Sequence, residues 1–591
     1  MKTLGIYYGH TATAVYMEDG IVKNAVSEER FTNVKNQNGI PRKAISWILK
    51  TNQLNPKDID VISIPVKTNA PIYASRDSKA NLLIKFLNFC YYRVPLLKNT
   101  SGLTSFYNPR LRWLGRLFYR IFSSTIGAKT SSLERATIAK FLGVDVGKIK
   151  TYDHHTCHAF SAYYGSPFSD SEALVLTLDA EGDGIAATVN IFNKDSYRRL
   201  SSSDSSNSLG WLFHAVTAHL GMKPWEHEYK VMGLAPYAKG VEVDKVYQRV
   251  KDLFAIGGRT GFEFVSRFDT HQSPRFLKEN MAGVRFDVLA AVFQKLVEDK
   301  IVEWVRKCVE NTKVKRVCLA GGVFMNVKAN QKIMEMTEVD ELFVFPSCGD
   351  ESSPIGACYL AEKDLRETTS YKPIPITNVY FGPSFSNNEI KMFIDEEKID
   401  SKYQVRYFDD VEKEIARLLF EGKILARLSG AMEWGARALG NRSILANPSD
   451  QDVVMVINEQ VKNRDFWMPF APSILKENET DYIINPKNIN ASFMMISFES
   501  TALARKKIRA TLHPYDFTCR PQIVTSETNP KYHKLISEFK ELTGTGAVLN
   551  TSFNLHGYPI VLGPREALWV FENSGLQYLE LENFIVSKKN L

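Results

Sequence analysis

Acidic residues are missing from one long stretch of the chain. Between Ser78 and Leu133 there is no aspartate or glutamate, although Lys79, Lys85, Arg93, Lys98, Arg110, Arg112, Arg116, Arg120 and Lys129 are spread through it. These cations alternate with rings such as Phe86, Phe89, Tyr91, Tyr92, Trp113, Phe118 and Tyr119. A segment of that composition is either an insertion whose rings pack on a domain while its charges stay solvated, or a contact face for a membrane surface or a single-stranded nucleic acid. Its functional version is a flap over residues 78–133 that recognises an acceptor or touches a membrane surface.

Other absences narrow the class. No apolar run is long enough to span a bilayer, and Met1–His10 is a strand broken at Gly9 rather than a signal peptide. The seven cysteines lack paired CxxC spacings, so they read as buried thiols of a reducing compartment, and a cytoplasmic protein is expected. A net charge of +8 over 591 residues is too small to argue for nucleic acid and is compatible with handling nucleotides and phosphates. With 44% hydrophobic and 24% charged residues, the chain is of ordinary globular composition and long enough for two or more domains.

Histidine is concentrated in one place. Asp153-His154-His155-Thr156-Cys157-His158 holds three of the eleven histidines. In a helix, His154 and His158 stand on one face and His155 points elsewhere. Two imidazoles are half a coordination sphere, and carboxylates are needed to complete it. Asp179, after the apolar strand Ala173–Leu178, and Asp350, after Glu341–Gly349, are the candidates. Two histidines and two aspartates with an open position suit a catalytic divalent ion.

The first forty residues read as strands at Thr3–Tyr8, Ala12–Met17 and Ile21–Ser27, with a hairpin turn at Glu18-Asp19-Gly20. The pattern returns at Ala173–Leu178 and Ile185–Phe192, around Asp183-Gly184. Two copies of a strand-hairpin unit predict a duplicated α/β domain of the actin and sugar-kinase type. A helix from Ser208 is expected to run into Glu226–Pro236, and a long helix is expected over residues 286–309. The strand Arg316–Leu319 then leads into Gly321-Gly322, where glycines let a backbone approach adenosine or phosphate. A polar stretch near residues 371–380 is the expected linker between domains 1–370 and 381–591. The second domain carries strands at Lys423–Arg427 and Ala547–Leu549 and three polar clusters: Glu433–Ser443 with Arg437 and Arg442, Lys462-Asn463-Arg464, and Asn550–Asn554 with Ser552. Fixed cations beside small hydroxyls suit a triphosphate or an acyl phosphate.

These blocks, taken with Ser27–Thr32, Lys230–Pro236, Arg437–Leu445 and Pro469–Ser473, resemble the carbamoyltransferases typified by the nodulation, cephamycin and tobramycin enzymes. The resemblance runs over nearly the whole chain. It implies an N-terminal TsaD-like domain of the ASKHA class and a C-terminal YrdC-like α/β domain. It implies that the second domain converts carbamoyl phosphate and ATP, with Mg2+, to carbamoyl-adenylate. The first domain would then transfer the carbamoyl group to a hydroxyl or amine of a natural product or glycan beside an iron ion. Carried over by position, His154, His158, Asp179 and Asp350 form the metal set. Lys230, Gly321, Gly322 and Asn326 become nucleotide contacts, with Lys230 also catalytic, and His10 assists transfer. Arg437, Arg442, Lys462, Arg464 and Ser552 become the carbamoyl-phosphate and adenylate site. No nucleic-acid partner is implied, and an oligomer is compatible.

The departures fall in the second domain. Ala431 and Met468 stand where the family carries arginine, Tyr558 follows Gly557 where the family reads glutamate, and His513–Thr518 lacks the family's glycine. A lost buried arginine–phosphate contact costs about 2–4 kcal/mol. The rival expectations are therefore an acyl or amide-forming transferase with another donor, and a silent nucleotide-binding scaffold that docks through residues 78–133.

Overall fold

The structure is a computed structural model that describes residues 1–67, 131–194, 196–366, 373–462 and 465–589. The basic aromatic stretch (apart from residues 131–133) and Arg464 lie outside the described residues. Two compact units are formed: residues 1–28 with 36–376, and residues 29–35 with 377–591. The short Glu29–Thr32 helix belongs with the second unit, which its place in the sequence does not foreshadow. The cause is Arg30, buried, which donates to the carbonyls of Gly435 at 2.7 Å and Ile560 at 3.3 Å.

In the first unit, β1 (Lys2–Tyr7), β2 (Thr13–Glu18) and β3 (Ile21–Ser27) form an antiparallel meander, and β4 (Val61–Ile64) and β5 (Ile149–Thr151) add in parallel beside β1. The same plan follows in β6 (Ala173–Gly182), β7 (Ile185–Phe192) and β8 (Tyr197–Asp204). A small hairpin of β9 (Phe254–Gly257) and β10 (Glu263–Ser266) comes next. Then β11 (Arg316–Ala320) and β12 (Glu341–Val344) join in parallel beside β6. The two sheets read β3-β2-β1-β4-β5 and β8-β7-β6-β11-β12, which is one topology used twice.

Local chemistry explains the repeated hairpin. Asp19-Gly20 has φ values of 52° and 78°, and Asp183-Gly184 has 52° and 80°. Left-handed backbone at both central positions matches the twist of the flanking strands, and Asp-Gly tolerates it. The central strands are apolar where they meet helices: Leu4 and Ile6 of β1, and Leu174, Val175 and Leu176 of β6, are fully buried. Two helices, His154–Tyr164 and Ser353–Leu365, pack so closely that a Cβ on Gly356 would lie 1.7 Å from the Cys157 carbonyl. Only glycine fits there.

The expected continuous helix from Ser208 to Pro236 is instead two helices, Leu209–His219 and Glu228–Leu234. Gly221 (φ 74°) and Trp225 (φ 67°) turn the chain between them, and left-handed backbone cannot continue a right-handed helix. The long helix extends to Phe286–Thr312 and ends at Lys313, which is itself left-handed (φ 64°).

The second unit is built on one eight-stranded mixed sheet of β13 (Tyr403–Tyr407), β14 (Leu425–Leu428), β15 (Arg442–Ala446), β16 (Ala471–Leu475), β17 (Gln522–Val524), β18 (Ala547–Ser552), β19 (Tyr578–Leu581) and β20 (Phe584–Lys588). Its order is β13-β20-β19-β14-β15-β18-β16-β17. Apolar clusters around Ile390, Phe571 and Leu579, and around Leu419, Leu535 and Phe539, bury much of the surface.

Candidate active site

The His154–Tyr164 helix begins where Asp153 caps it, accepting from the Thr156 amide at 2.8 Å and the Thr156 hydroxyl at 2.7 Å. Burial alone pushes the Asp153 pKa up. The Arg199 guanidinium, which donates to the same carboxylate and to the Thr156 hydroxyl at 2.8 Å, overcomes it and holds the group ionised well below the usual range. Asp183 ties down the same helix end. Its carboxylate accepts from the His154 amide at 2.9 Å and from the Lys67 amide at 3.1 and 3.2 Å. A Cβ on Gly182 would lie 2.0 Å from the His154 ring, so the glycine beside Asp183 makes room for that imidazole.

On this helix His154 and His158 face one another, with Nε2 atoms 3.0 Å apart. Asp179 Oδ2 lies 3.5 Å from His154 Nε2 and 3.4 Å from His158 Nε2. Asp350 Oδ1 lies 3.4 and 3.6 Å from the same two nitrogens. All four ligand atoms fall within 4.8 Å of one another, and all four residues are buried. Tyr7 Oη donates to Asp350 Oδ2, and His10 Nδ1 stands 3.5 Å from that oxygen. One oxygen of Asp350 is therefore held from behind while the other faces the imidazoles.

The donor set fits a divalent ion. His154 Nδ1 donates to the Pro65 carbonyl at 3.3 Å, which leaves its Nε2 with a lone pair toward the cluster. His158 Nδ1 is hydrogen-bonded to Ser352 Oγ at 3.2 Å. Two nitrogens and two carboxylate oxygens spaced this way can share a sphere of about 2 Å radius. Asp179 Oδ2 is buried and makes no hydrogen bond, which is costly unless a cation meets it. Burial disfavours an imidazolium at His154, yet Asp350 and Asp179 outweigh burial and raise its pKa well above the ordinary value. Burial likewise opposes charge on Asp350, while His154 and His10 hold its carboxyl well below the usual range. The cluster demands positive charge in either form. His155 has no part in it: Nε2 donates to the Ile185 carbonyl at 2.8 Å, Nδ1 pairs with Thr177 Oγ1 at 2.7 Å, and burial lowers its pKa to about 3.

The glycine pair borders this site. Gly321 adopts φ 104°, and a Cβ there would meet the Leu178 carbonyl at 2.4 Å; a Cβ on Gly322 would come within 3.1 Å of Asp179 Oδ1. Lys230 is buried in the Glu228–Leu234 helix. Asn326, expected as a nucleotide contact, has its side-chain amide engaged by the fold. It caps the Val327–Glu335 helix through the Ala329 amide at 3.1 Å and exchanges two 3.0 Å hydrogen bonds with Gln294.

The second unit gathers the other expected residues. Lys462, at the end of a π-helical turn over Asn458–Lys462, is buried and donates to the Ser552 carbonyl, to Asn554 Oδ1 at 2.6 Å and to the Asn554 carbonyl at 3.0 Å. Ser552 Oγ lies 3.2 Å from the ammonium and donates to Asn554 Oδ1 at 2.7 Å. Arg437 is half-buried in a loop that Glu433 organises. One Glu433 oxygen accepts from the amides of Leu439, Asn441 and Arg442 at 2.8, 2.7 and 3.1 Å. Arg442 requires a correction. It is fully buried and donates to the carbonyls of Leu562, Ser429, Gly430, Asn441 and Pro383 at 2.9–3.2 Å. Its guanidinium is taken up by the backbone, so it builds the loop rather than receiving an anion.

Reading the sequence missed Asp183 and Arg199, which position the helix of His154 and His158, and Tyr7, which donates to Asp350. Asp183 looks like a turn residue, and its second role appears only when the chain after β4 arrives beside it.

Comparison with known proteins identifies the family. The family model described as Carbamoyltransferase N-terminus matches residues 2–359, and Carbamoyltransferase C-terminus matches residues 416–588. An uncharacterized protein of Methanocaldococcus jannaschii is 31% identical over all of both chains. Nodulation protein NolNO of Sinorhizobium fredii is 28% identical over 98% of this chain and 79% of its own. Among solved structures, full-length HypF in a phosphate- and nucleotide-bound form aligns with 62% of this chain and 56% of its own at 13% identity and a TM-score of 0.32. The chain belongs to the carbamoyltransferase family and is a carbamoyltransferase.

Proposed function

We propose that the enzyme uses carbamoyl phosphate and ATP, forms carbamoyl-adenylate in a YrdC-like second unit, and carbamoylates an acceptor hydroxyl or amine in a TsaD-like first unit of the ASKHA class. The observation that carries this reading is the buried pair of histidines and pair of aspartates with His10 beside it. His154, His158, Asp179 and Asp350 would hold a divalent ion, with iron as the candidate that the family resemblance suggests. When bound, such an ion supplies Lewis acidity for charge developing on a carbonyl oxygen.

The chain's own groups divide the remaining work. His10, whose Nδ1 faces Asp350, accepts the proton from the acceptor hydroxyl. Tyr7 and Ser352 fix the ligand side chains, so that little reorganisation accompanies reaction. Gly321 and Gly322 leave backbone open for a close approach by nucleotide, and Lys230 answers its charge. In the second unit Lys462, Ser552 and Arg437 form the cradle for the acyl phosphate and adenylate. Water takes the phosphoryl group of carbamoyl phosphate as inorganic phosphate, the carbamate left behind attacks the α-phosphorus of ATP and releases pyrophosphate, and transfer to the acceptor then releases AMP.

The test is pyrophosphate release from ATP by the metal-loaded protein without acceptor, with and without carbamoyl phosphate. Dependence on carbamoyl phosphate is expected. A folded, ATP-binding protein whose release ignores carbamoyl phosphate overturns the donor assignment. That second outcome has one structural motive: Met468 is 5% exposed, a buried thioether where the family resemblance calls for an arginine, and it would indicate a different acyl donor.

A further inference from the structure

One face of the second unit carries positive charge that its own acids do not answer. Arg505, Lys506, Lys507 and Arg509 fall within five positions, and Asp516 is the only acid between Ser500 and Arg520. Asp516 is taken up by its own loop, accepting from the Thr518 amide at 3.0 Å and the Thr518 hydroxyl at 2.8 Å. Among the described residues none of the four cations forms an ion pair. Arg417 and Lys534 of the same unit are matched, the first by Glu414 and Glu421 and the second by Asp410. Like charges so close repel one another, and a concentration of them without acids is relieved by an anionic partner.

The helix Ala502–Lys507 sets these charges around apolar side chains. Thr501 caps it, accepting from the Ala504 amide at 3.0 Å. Ala504 and Ile508 are buried, which turns Leu503, Lys506 and Lys507 outward. Lys506 and Lys507 follow Leu503 by three and four positions and so flank it on the helix surface. Ile484 is brought alongside the start of this helix: its amide donates to the Glu499 carbonyl at 3.0 Å, and the Thr501 amide donates to the Tyr482 carbonyl at 3.1 Å. Leu503 is 42% exposed and Ile484 52% exposed.

The two arginines are held rather than left to wander. In the block that lacks the family's glycine, Phe517 takes φ 60°, a conformation that a bulky side chain adopts only under constraint. The constraint is local: the Phe517 amide donates to the His513 carbonyl at 3.0 Å, and the His513 amide donates to the Thr518 carbonyl at 2.9 Å. The ring so placed carries the Arg509 guanidinium at 4.1 Å and the Arg505 guanidinium at 5.0 Å from its centroid. Stacking on a ring orients a guanidinium without neutralising it, so the charges stay available to a partner.

Unpaired cations around exposed aliphatic side chains fit the interface of a bilayer with anionic headgroups. The cations meet phosphates and carboxylates while Leu503 and Ile484 enter the boundary with the acyl chains. A single-stranded nucleic acid would call for free ring faces on which bases stack, and the Phe517 ring already carries two guanidiniums. We propose that Arg505, Lys506, Lys507 and Arg509, with Leu503 and Ile484, form a surface that docks the enzyme on an anionic lipid bilayer. This surface uses no residue of the carbamoyl-transfer reading, and its test needs no substrate.

The experiment is co-sedimentation of the full-length protein with phosphatidylcholine vesicles, neutral or carrying about 30% phosphatidylserine, in about 0.1 M salt. Wild type is expected to partition onto the anionic vesicles and to leave them as salt is raised. Arg505→Gln, Lys506→Gln and Lys507→Gln combined are expected to lower the partition coefficient by about ten-fold or more. Leu503→Ser with Ile484→Ser, which keeps every charge, is expected to lower it by about three-fold or more. Denaturation midpoints of both variants are compared with wild type, so that a loss of binding is read only from folded protein. Wild type that prefers neither vesicle, or unchanged partition of both variants, overturns the proposal. Both variants leave residues 78–133 intact, so vesicle binding through that stretch would survive in them and count against this surface. Binding of a thymidine oligonucleotide that the charge variant loses, without any binding to vesicles, would make the patch a nucleic-acid contact and likewise overturn the bilayer assignment.

Discussion

Asp350 in the first unit and Glu580 in the second are both buried carboxylates beside a basic side chain, and the protein drives them in opposite directions. Burial raises both. At Asp350 the imidazoles of His154 and His10 win, and the carboxyl sits well below the usual range. At Glu580 burial is opposed by Arg427, its direct cross-strand neighbour on β14, with Nη1 at 2.6 and 2.8 Å from the two carboxylate oxygens. Glu412 and Glu582 crowd the same guanidinium, and the pKa rises to about 8. The difference lies in the count of acids per cation. Three carboxylates gathered at Arg427, of which Glu582 also pairs with Lys531 at 2.9 Å, are relieved when one keeps its proton, whereas two carboxylates facing two imidazoles are relieved by a cation. The first arrangement is closed and structural, and the second is open to a ligand.

The contrast is tested most severely at Arg442, a fully buried cation of the second unit. Replacement by methionine removes a charged donor from the carbonyls of five residues, of which Asn441 and Pro383 keep a backbone donor. We expect a loss of about 3–5 kcal/mol, read as a lowered denaturation midpoint. Arg442→Lys should not restore it, because an ammonium has three donors and no planar fork. A stable Arg442→Met protein whose only defect is a raised KM for carbamoyl phosphate would return this residue to the anion site and erase the contrast. The matching experiment in the first unit is His158→Ala. Divided over four ligands, a site worth about 10–16 kcal/mol loses about 100- to 1,000-fold in affinity per ligand. Competition with a chromophoric chelator measures it, and carbamoyl transfer should fall with occupancy. Unchanged affinity would mean that the cluster answers its charge with protons alone.

How much of this was legible before the fold was known depends on how far each contact reaches along the chain. The His154–His158 pair is written in a four-residue spacing, and its helix formed where expected. Asp179 and Asp350 were found because each follows an apolar strand, and β6, β11 and β12 bring their ends to one edge. The duplicated hairpin was visible through Asp-Gly at both turns. The break at Trp225 was not, because nothing local announces a left-handed tryptophan: its conformation is set by Glu228 and by Asn36, which lies 189 residues away. Arg442 was misjudged for a related reason. An arginine among polar residues reads as an anion contact, and only the folded loop shows carbonyls converging on it from residues 383 to 562.

Asp183 sharpens the comparison at a smaller scale, since it makes the first unit's site without facing the ligand atoms. Asp183→Asn keeps the shape but weakens the charge-assisted bonds to the His154 and Lys67 amides. Outer partners of this kind typically account for 10- to 100-fold in metal affinity. We expect a loss in that range by chelator competition, with the secondary-structure content of the protein unchanged. An effect as large as that of His158→Ala would make Asp183 a ligand, and no effect would leave the helix to its Asp153 cap alone.

The gentlest effect is the pH dependence of the second unit. Glu580 holds its proton in the folded state up to a pKa of about 8, against an ordinary value of 4.5. Between those values the unfolded chain has released a proton that the folded chain still binds. Stability is therefore full below about pH 4.5 and falls as pH rises toward 8, by no more than about 1.4 kcal/mol per pH unit from this one group. Glu580→Gln replaces the protonated acid with a neutral amide that can still accept from Arg427, so it should flatten the slope over this window while leaving stability near pH 5 close to that of wild type. The comparison fails if wild type grows more stable as pH rises from 5 to 8 and Glu580→Gln removes that gain. Glu580 would then be ionised like Asp350, and acid crowding around Arg427 would not be what separates the two sites.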